Sequence, residues 1–206
     1  MRSFMFVRSE KVYSKLRVVA MACLFLGSSK NIYLRPATKA DYPVMKIYRQ
    51  DPENCRYIRP PESDEETMEI VMQLSKPWNL ASGHWNGLVI CLQEDDTLVG
   101  EVVFRIEDWE HQRAEIGYRL SEKAAGRGIC TKAASLLIDY IIKELGFFKI
   151  VAKCDPRNIS SYRVMEKLGF KREAFFKDHY LMGDEWTDQV DYGLIVNDWS
   201  IQQLKA

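Results

Sequence analysis

The stretch EKAAGRGICTKAA, residues 122–134, constrains what this chain can fold into more than any other part of the sequence. Two glycines, Gly126 and Gly128, flank an arginine between a strand-like run and a run of good helix formers. Each glycine costs backbone entropy when it is ordered, and a tight turn requires one at most. The second glycine therefore raises the question of whether a ligand must approach this loop closely.

A strand, a glycine-bearing loop and a helix, in that order, are suited to holding an anion. The first helical turn has unpaired N–H groups and a partial positive charge, and glycines leave those groups accessible. Lys123 and Arg127 add positive charge beside the loop. The pattern favours a bound phosphate or pyrophosphate, with a simple strand-to-helix turn as the alternative. Neither a Walker sequence nor the three-glycine Rossmann spacing is present.

From about residue 32 onward, glycine, proline and capping residues separate helix-like and strand-like runs at regular intervals, which predicts one α/β domain. A helix follows the glycine loop, and a second helix is expected near Asn158, which suits an N-cap position. The tail predicts a long hairpin that turns at Gly183 and Asp184. The strand-like runs before the loop lie close together and predict an antiparallel meander; they span residues 85–93, 97–107 and 113–120.

These elements place the chain in the α/β (α+β) class, with a mixed, mostly antiparallel twisted sheet flanked by helices. A strand over residues 148–154 completes a strand–helix–strand crossover. We expect one domain over residues 31–206, preceded by an extension, residues 1–30, of uncertain order. The apolar run at residues 17–27 is too short to span a bilayer, and no clean small-x-small cleavage site follows it.

Charge and cysteine content exclude several function classes. Lys plus Arg and Asp plus Glu number 29 each, so the formal net charge is +0 and a nucleic-acid partner is not expected. The five cysteines show no CxxC spacing, which argues against a disulfide framework and against a zinc site. We therefore expect reduced thiols, a cytoplasmic location, no metal and no membrane partner.

Several motifs in the correct order resemble the core of the GNAT superfamily of acetyl-CoA-dependent N-acetyltransferases. More narrowly, residues 115–170 are similar to the branch containing the ribosomal-protein alanine acetyltransferases RimJ and RimL. That branch has a Trp-Gly-x-Gly loop, an Asp-x-x-Asn-x-x-Ser stretch and a Glu-Lys-x-Gly-Phe stretch. The counterparts here are Ala125-Gly126-Arg127-Gly128, then Asp155 through Asn158 to Ser161, and Glu166-Lys167-Leu168-Gly169-Phe170.

The resemblance implies the GNAT acyl-CoA N-acyltransferase fold, with acetyl-CoA as cosubstrate. In that fold the loop wraps the pyrophosphate of coenzyme A, and the preceding strand, here Ile116 to Leu120, splays from its neighbour to line the pantetheine arm. The cofactor-binding residues implied for this chain are Tyr118, Arg119, Leu120, Lys123, Ala124, Ala125, Gly126, Arg127, Gly128, Ile129, Cys130, Asn158 and Ser161.

Candidate catalytic residues follow from the same comparison. Glu115, in the strand that borders the cleft, is the candidate general base, with an ion pair to Arg113 or Arg105 as the alternative. Many GNAT enzymes use a tyrosine as the acid where this chain has Met165. Ser161 is therefore the candidate acid, unless its hydroxyl only satisfies a local backbone group, and Tyr162 is the reserve.

The expected activity is direct transfer of acetyl to a primary amine, either a protein N-terminus, such as that of a ribosomal protein, or a small amine. Direct transfer is favoured because nothing near Cys130 in the sequence supplies the base that a nucleophilic thiol needs. The alternative is a catalytically silent acyl-CoA-binding or regulatory module. Lys132, where the branch often has Glu, and Met165 keep that alternative open. The oligomeric state is left as monomer or homodimer.

Overall fold

The structure is a computed structural model, and it describes residues 28–29 and 31–203. The apolar run at residues 17–27 lies outside the described residues. The strands are β1 (Ser28–Ser29), β2 (Ile32–Arg35), β3 (Trp85–Leu92), β4 (Leu98–Asp108), β5 (Arg113–Leu120), β6 (Lys149–Cys154), β7 (Lys171–Met182) and β8 (Glu185–Ile195). The helices are α1 (Tyr42–Arg49), α2 (Pro52–Cys55), α3 (Asp64–Leu74), α4 (Ile129–Lys143), α5 (Ile159–Lys167) and α6 (Val196–Gln203).

The strands form one mixed sheet in the order β1-β2-β3-β4-β5-β6-β8-β7. Strands β3, β4 and β5 make the predicted antiparallel meander, and β7 and β8 make the predicted hairpin. Strands β5 and β6 are parallel and are joined through α4, which is the predicted crossover. The fold class expected from the sequence is thus confirmed.

The ladder between β5 and β6 is short. It holds three pairs, Arg113 with Lys149, Ala114 with Ile150 and Glu115 with Val151. Strand β5 then continues to Leu120 while paired only to β4, and β6 continues to Cys154 while paired only to β8. The two central strands therefore separate after Glu115, and a cleft opens between them.

The two faces of the sheet carry separate apolar clusters. On one face α4 and α5 cover a cluster that includes Phe104, Ile116 and Leu137. On the other face α1 and α3 cover a smaller cluster that includes Met45 and Val71. Because side chains alternate along a strand, neighbouring residues of the free part of β5 point to opposite faces. This alternation brings both sides of the sheet into contact with the cleft.

Candidate active site

The glycine loop lies where β5 gives way to α4. Gly126 and Gly128 have φ angles of +75° and +73°, a left-handed conformation that glycine adopts at little cost. A Cβ atom added to either residue would meet nothing within 4 Å, so neither glycine is there to make room for neighbouring protein atoms. Both glycines are thus required by the backbone conformation, and their surroundings are open enough for a ligand.

The amides after the loop's first turn are the ones available to an anion. The Ala124 and Ala125 amides already donate to the carbonyls of Ser121 and Glu122. The Lys132 amide donates to the Gly128 carbonyl and begins the hydrogen bonding of α4. The amides of residues 126–131 lie between these points, at the positive end of the helix. The sequence predicted phosphate-binding amides over Ala124–Cys130. Since the Ala124 and Ala125 amides are already used within the protein, the amides left for an anion are those from residue 126 onward.

The cleft between β5 and β6 has a volume of about 910 Å³. The glycine loop lines its mouth through Gly126 and Gly128, and the free part of β5 lines its floor. Tyr118, Cys130, Cys154 and Ser161 also line it. Most residues assigned from the sequence to cofactor binding are thus brought together at one site.

Tyr118 and Ser161 meet inside this cleft, although 43 positions separate them in the chain. The Tyr118 hydroxyl donates to the Ser161 carbonyl over 2.9 Å, and the Ser161 Oγ lies 3.4 Å from the Tyr118 Oη. Burial raises the pKa of Tyr118 well above its ordinary value, so the phenol keeps its proton at neutral pH. Tyr118 and Ser161 thus place two neutral hydroxyl groups next to each other on the α4 side of the cleft.

Glu115 lies at the point where β5 and β6 separate, and it is 7% exposed. Its Oε2 accepts hydrogen bonds from Arg105 Nη2 (2.6 Å) and Lys153 Nζ (3.0 Å). The ion pair that the sequence offered as the alternative to a catalytic role for Glu115 is therefore present. It is formed with Arg105 rather than Arg113, and Lys153 is a second cation. Arg113 pairs instead with Glu107, over 2.6 Å.

Asn158 forms the predicted N-cap of α5. Its Oδ1 accepts from the Ser161 amide (3.1 Å) and from the Ser160 hydroxyl (2.9 Å). The fully buried Asp155 accepts from the Arg157 amide (2.8 Å) and guanidinium, which fixes the turn between β6 and α5. The Asp-x-x-Asn-x-x-Ser stretch thus builds the turn and cap that orient Ser161.

Several other assigned residues have the following positions. Tyr162, the reserve acid, is partly buried and packs against the hydrophobic core, and its role as an acid stays a prediction. Lys123 and Arg127 are exposed beside the loop, and Arg127 lies 3.9 Å from Glu94. The Leu120 carbonyl accepts from Asn54 Nδ2 (2.9 Å), which ties α2 to the end of β5.

A buried ionic cluster beside the cleft was not anticipated from the sequence. Arg49 of α1 contacts Glu62 through Nη1 (2.6 and 2.8 Å) and also pairs with Glu101 of β4 through Nη2. Tyr48 donates to Glu101 (3.1 Å), and Arg119 of β5 lies beside both carboxylates. These residues are up to about 70 positions apart in the chain, so no local motif could have indicated the cluster.

With this geometry in place, comparison with known proteins gives the family. The model of the acetyltransferase (GNAT) domain matches residues 31–171, more than half of the chain. The chain belongs to the GNAT family of N-acetyltransferases. No helix among residues 28–29 and 31–203 has the length and apolar character needed to cross a membrane.

Individual relatives agree with this assignment. The N-acetyltransferase YnaD of Bacillus subtilis (strain 168) is 30% identical over 84% of this chain and 98% of its own. The ribosomal protein uS5-alanine N-acetyltransferase of Escherichia coli (strain K12) is 31% identical over 41% of this chain and 44% of its own.

Solved structures show the same fold. A GNAT-family acetyltransferase from Bacillus anthracis has a TM-score of 0.72 and 29% identity, covering 82% of this chain and 96% of its own. The ribosomal L7/L12 alpha-N-protein acetyltransferase RimL in complex with coenzyme A has a TM-score of 0.71 and 21% identity, covering 84% and 99%. This GNAT enzyme thus has the fold of a coenzyme A-bound relative.

Proposed function

We propose that this N-acetyltransferase takes acetyl from acetyl-CoA and transfers it directly to a primary amine, in the cytoplasm. The observation that carries the proposal is the separation of β5 from β6 after Glu115, with the amides of residues 126–131 at the mouth of the cleft. Those amides suit a diphosphate, and the β6-facing edge of β5 after Glu115 suits an extended amide-bearing arm. The RimL complex with coenzyme A supports this reading by fold.

The chemistry requires a neutral amine, a polarised thioester carbonyl and a proton for the departing thiolate. The amine nitrogen bonds to the acyl carbon, and the carbon–sulfur bond breaks. The proton released by the amine goes to Glu115, directly or through water. The sulfur receives a proton from the Ser161 hydroxyl, which at rest donates to the Tyr118 hydroxyl, and water then returns a proton to Ser161.

A covalent acetyl-enzyme is disfavoured by the state of the two cysteines in the cleft. Burial raises the pKa of the Cys130 thiol to about 12 and that of Cys154 to about 11. Both remain thiols rather than thiolates at neutral pH, and the thiolate is the nucleophilic form. Direct transfer of acetyl from the thioester to the amine is therefore favoured over a route through an acetylated cysteine.

The acceptor class includes protein N-termini and small amines. Relatives named as ribosomal-protein acetyltransferases support the first class. The test incubates the protein with isotopically labelled acetyl-CoA and a panel of N-terminal peptides, amino acids and polyamines. Products are read by mass spectrometry, since a thiol reagent would also label the protein's own cysteines.

Acetylated amine appearing in proportion to enzyme supports the proposal. Saturable coenzyme A binding without turnover of any amine would instead favour the silent acyl-CoA-binding module. That second function keeps one observation in its favour, because Glu115 is already engaged by Arg105 and Lys153.

A further inference from the structure

The Arg119 guanidinium is a largely buried cation whose contacts with the protein are long. The residue is 6% exposed, and among residues 28–29 and 31–203 its side chain contacts Cys55 Sγ at 3.9 Å and Glu62 Oε1 at 3.9 Å. A guanidinium has five N–H donors, and a buried charge is costly unless those donors are engaged. Neither contact is a hydrogen bond of ordinary strength.

The carboxylates that could have served Arg119 are held by another residue. Arg49 engages Glu62 through two bonds (2.6 and 2.8 Å) and Glu101 through Nε (3.3 Å) and Nη2. Both acids are therefore oriented toward α1. Burial lowers the pKa of Arg119, and the nearby Glu101 carboxylate offsets that effect only in part. The two arginines, Arg49 and Arg119, and the two carboxylates, Glu62 and Glu101, balance in formal charge. The closest hydrogen bonds of both carboxylates go to Arg49, however, whereas Arg119 lies 3.9 Å from Glu62.

Arg119 lies on the side of the sheet opposite α4. Its register partner is Glu101, and its side chain reaches Cys55 and Glu62 on the α1–α2 side. The adjoining Tyr118 points the other way, toward Ser161. The phosphates of coenzyme A belong at the start of α4, so an anion at Arg119 must come from the other substrate.

The lining of the cleft carries six basic residues, Arg49, Arg59, Arg119, Lys153, Arg163 and Lys167, against four acidic ones, Glu53, Glu101, Glu115 and Glu122. Glu62 and Glu107 pair with Arg49 and Lys153, so the charge around the cleft is near balance and the preference for an anion depends on Arg119 itself. Arg59 also lies 3.6 Å from Glu62 and partly offsets the charge of that carboxylate. A carboxylate is the group that a free guanidinium fork recognises best among common amine metabolites and peptides.

We propose that the Arg119 side chain binds a carboxylate of the acceptor, so that the preferred substrates are primary amines bearing a carboxylate close to the amine. This inference rests on the proposed acetyl transfer. The carboxylate has two sources with the same chemistry: the α-carboxylate of a free amino acid, or an acidic side chain near a peptide N-terminus.

The wild-type protein provides the first test, using matched acceptors. Alanine is compared with alaninamide, and peptides with Asp at position 2 are compared with the same peptides carrying Asn. We expect kcat/KM at least about tenfold higher for the acid of one pair, equivalent to about 1.4 kcal/mol. Amidation lowers the pKa of an α-amine and yields more neutral nucleophile, so reactivity alone favours the amide. A preference for alanine over alaninamide identifies the α-carboxylate as the group bound, and a preference for the Asp peptides over the Asn peptides identifies an acidic side chain.

Variants then assign the preference to Arg119. Arg119→Gln should reduce the acid-to-amide ratio toward one, mainly by raising KM for the acid, and Arg119→Lys should keep part of it. Arg56→Gln is the control, since Arg56 is an exposed arginine of the same region and should retain the wild-type ratio. Coenzyme A affinity and the thermal midpoint are measured in parallel.

Several outcomes would overturn the inference. Equal turnover of acid and amide by the wild type refutes it while leaving acetyl transfer intact. An undiminished preference in Arg119→Gln, or in Arg119→Lys if the first variant does not fold, refutes the assignment to this residue. Absence of turnover with every amine refutes the proposed function itself, which is a different readout.

Discussion

Glu115 and Val151 form the last register pair between β5 and β6, and the two strands separate immediately after it. Apart from Glu115 itself, every residue assigned to the active site lies beyond that pair. The separation removes the β6 partner from residues 116–120 without removing the β4 partner, so the strand stays ordered while one edge is free. A stable edge with unpaired donors and acceptors is what an extended acyl carrier requires.

Gly128→Val should weaken coenzyme A binding at least about tenfold without loss of the fold. A β-branched residue at φ +73° is strained by roughly 1–2 kcal/mol, and its side chain would occupy space in front of the amides. Gly183→Val is a matched control, because Gly183 also has a positive φ and open surroundings but lies in the distant β7–β8 turn. Calorimetric titration with coenzyme A measures both, and equal affinities would refute the loop assignment.

Glu115→Gln should reduce turnover most at low pH if Glu115 is the base. At low pH the acceptor is largely ammonium and depends on the base, whereas at high pH it is already neutral. The variant-to-wild-type ratio of kcat/KM should therefore rise with pH. Glu107→Gln is the control, since it removes the other carboxylate on Lys153 while keeping Glu115. A ratio independent of pH, with a lowered thermal midpoint, would leave Glu115 as a structural ion pair.

Ser161→Ala should lower kcat by roughly 10²-fold if its hydroxyl protonates the departing thiolate. KM for acetyl-CoA should change little, because the backbone and the Asn158 cap remain. The neighbouring Ser160→Ala is the control: its hydroxyl bonds Asn158 and does not reach Tyr118. Steady-state kinetics measure kcat and KM for both variants and the wild type. A kcat of Ser161→Ala equal to that of Ser160→Ala would show that the Ser161 hydroxyl is dispensable.

Cys130 should make the protein lose stability in alkaline solution. Burial raises the pKa of its thiol from about 9 to about 12. Between these values the unfolded state has released the proton and the folded state has not, so the free energy of unfolding falls as pH rises. The slope from this one group reaches about 1.4 kcal/mol per pH unit.

Cys130→Ala should therefore lose less stability than the wild type between pH 8 and pH 10. Urea titrations under reducing conditions at each pH measure the effect, and the pH 7 values give the offset from lost packing. Cys154 contributes a slope of the same sign in both proteins. Parallel curves for the wild type and the variant would contradict the prediction.

The sequence predicted more of the backbone than of the chemistry. The glycine pair, the Asn158 cap and the Gly183 turn depend on neighbours within a few residues, so their spacing in the chain was sufficient evidence. Ser161 was placed correctly at the start of α5, but its contact with Tyr118 joins positions 43 apart. The role of Tyr162 stays a prediction: a helix turns by about 100° per residue, so its side chain points away from that of Ser161 and packs against the core.

By itself the sequence determined the β3–β5 meander, the crossover through α4, the β7–β8 hairpin, the glycine loop at the start of α4 and the family, because each follows from local backbone preference or short motifs. Only the tertiary structure decided which charges meet. It paired Glu115 with Arg105 and Lys153, directed Glu62 and Glu101 toward Arg49, and left Arg119 3.9 Å from Glu62. Electrostatic pairing depends on distance in space, which the packing of α1 and α2 against β4 and β5 sets and no local pattern encodes.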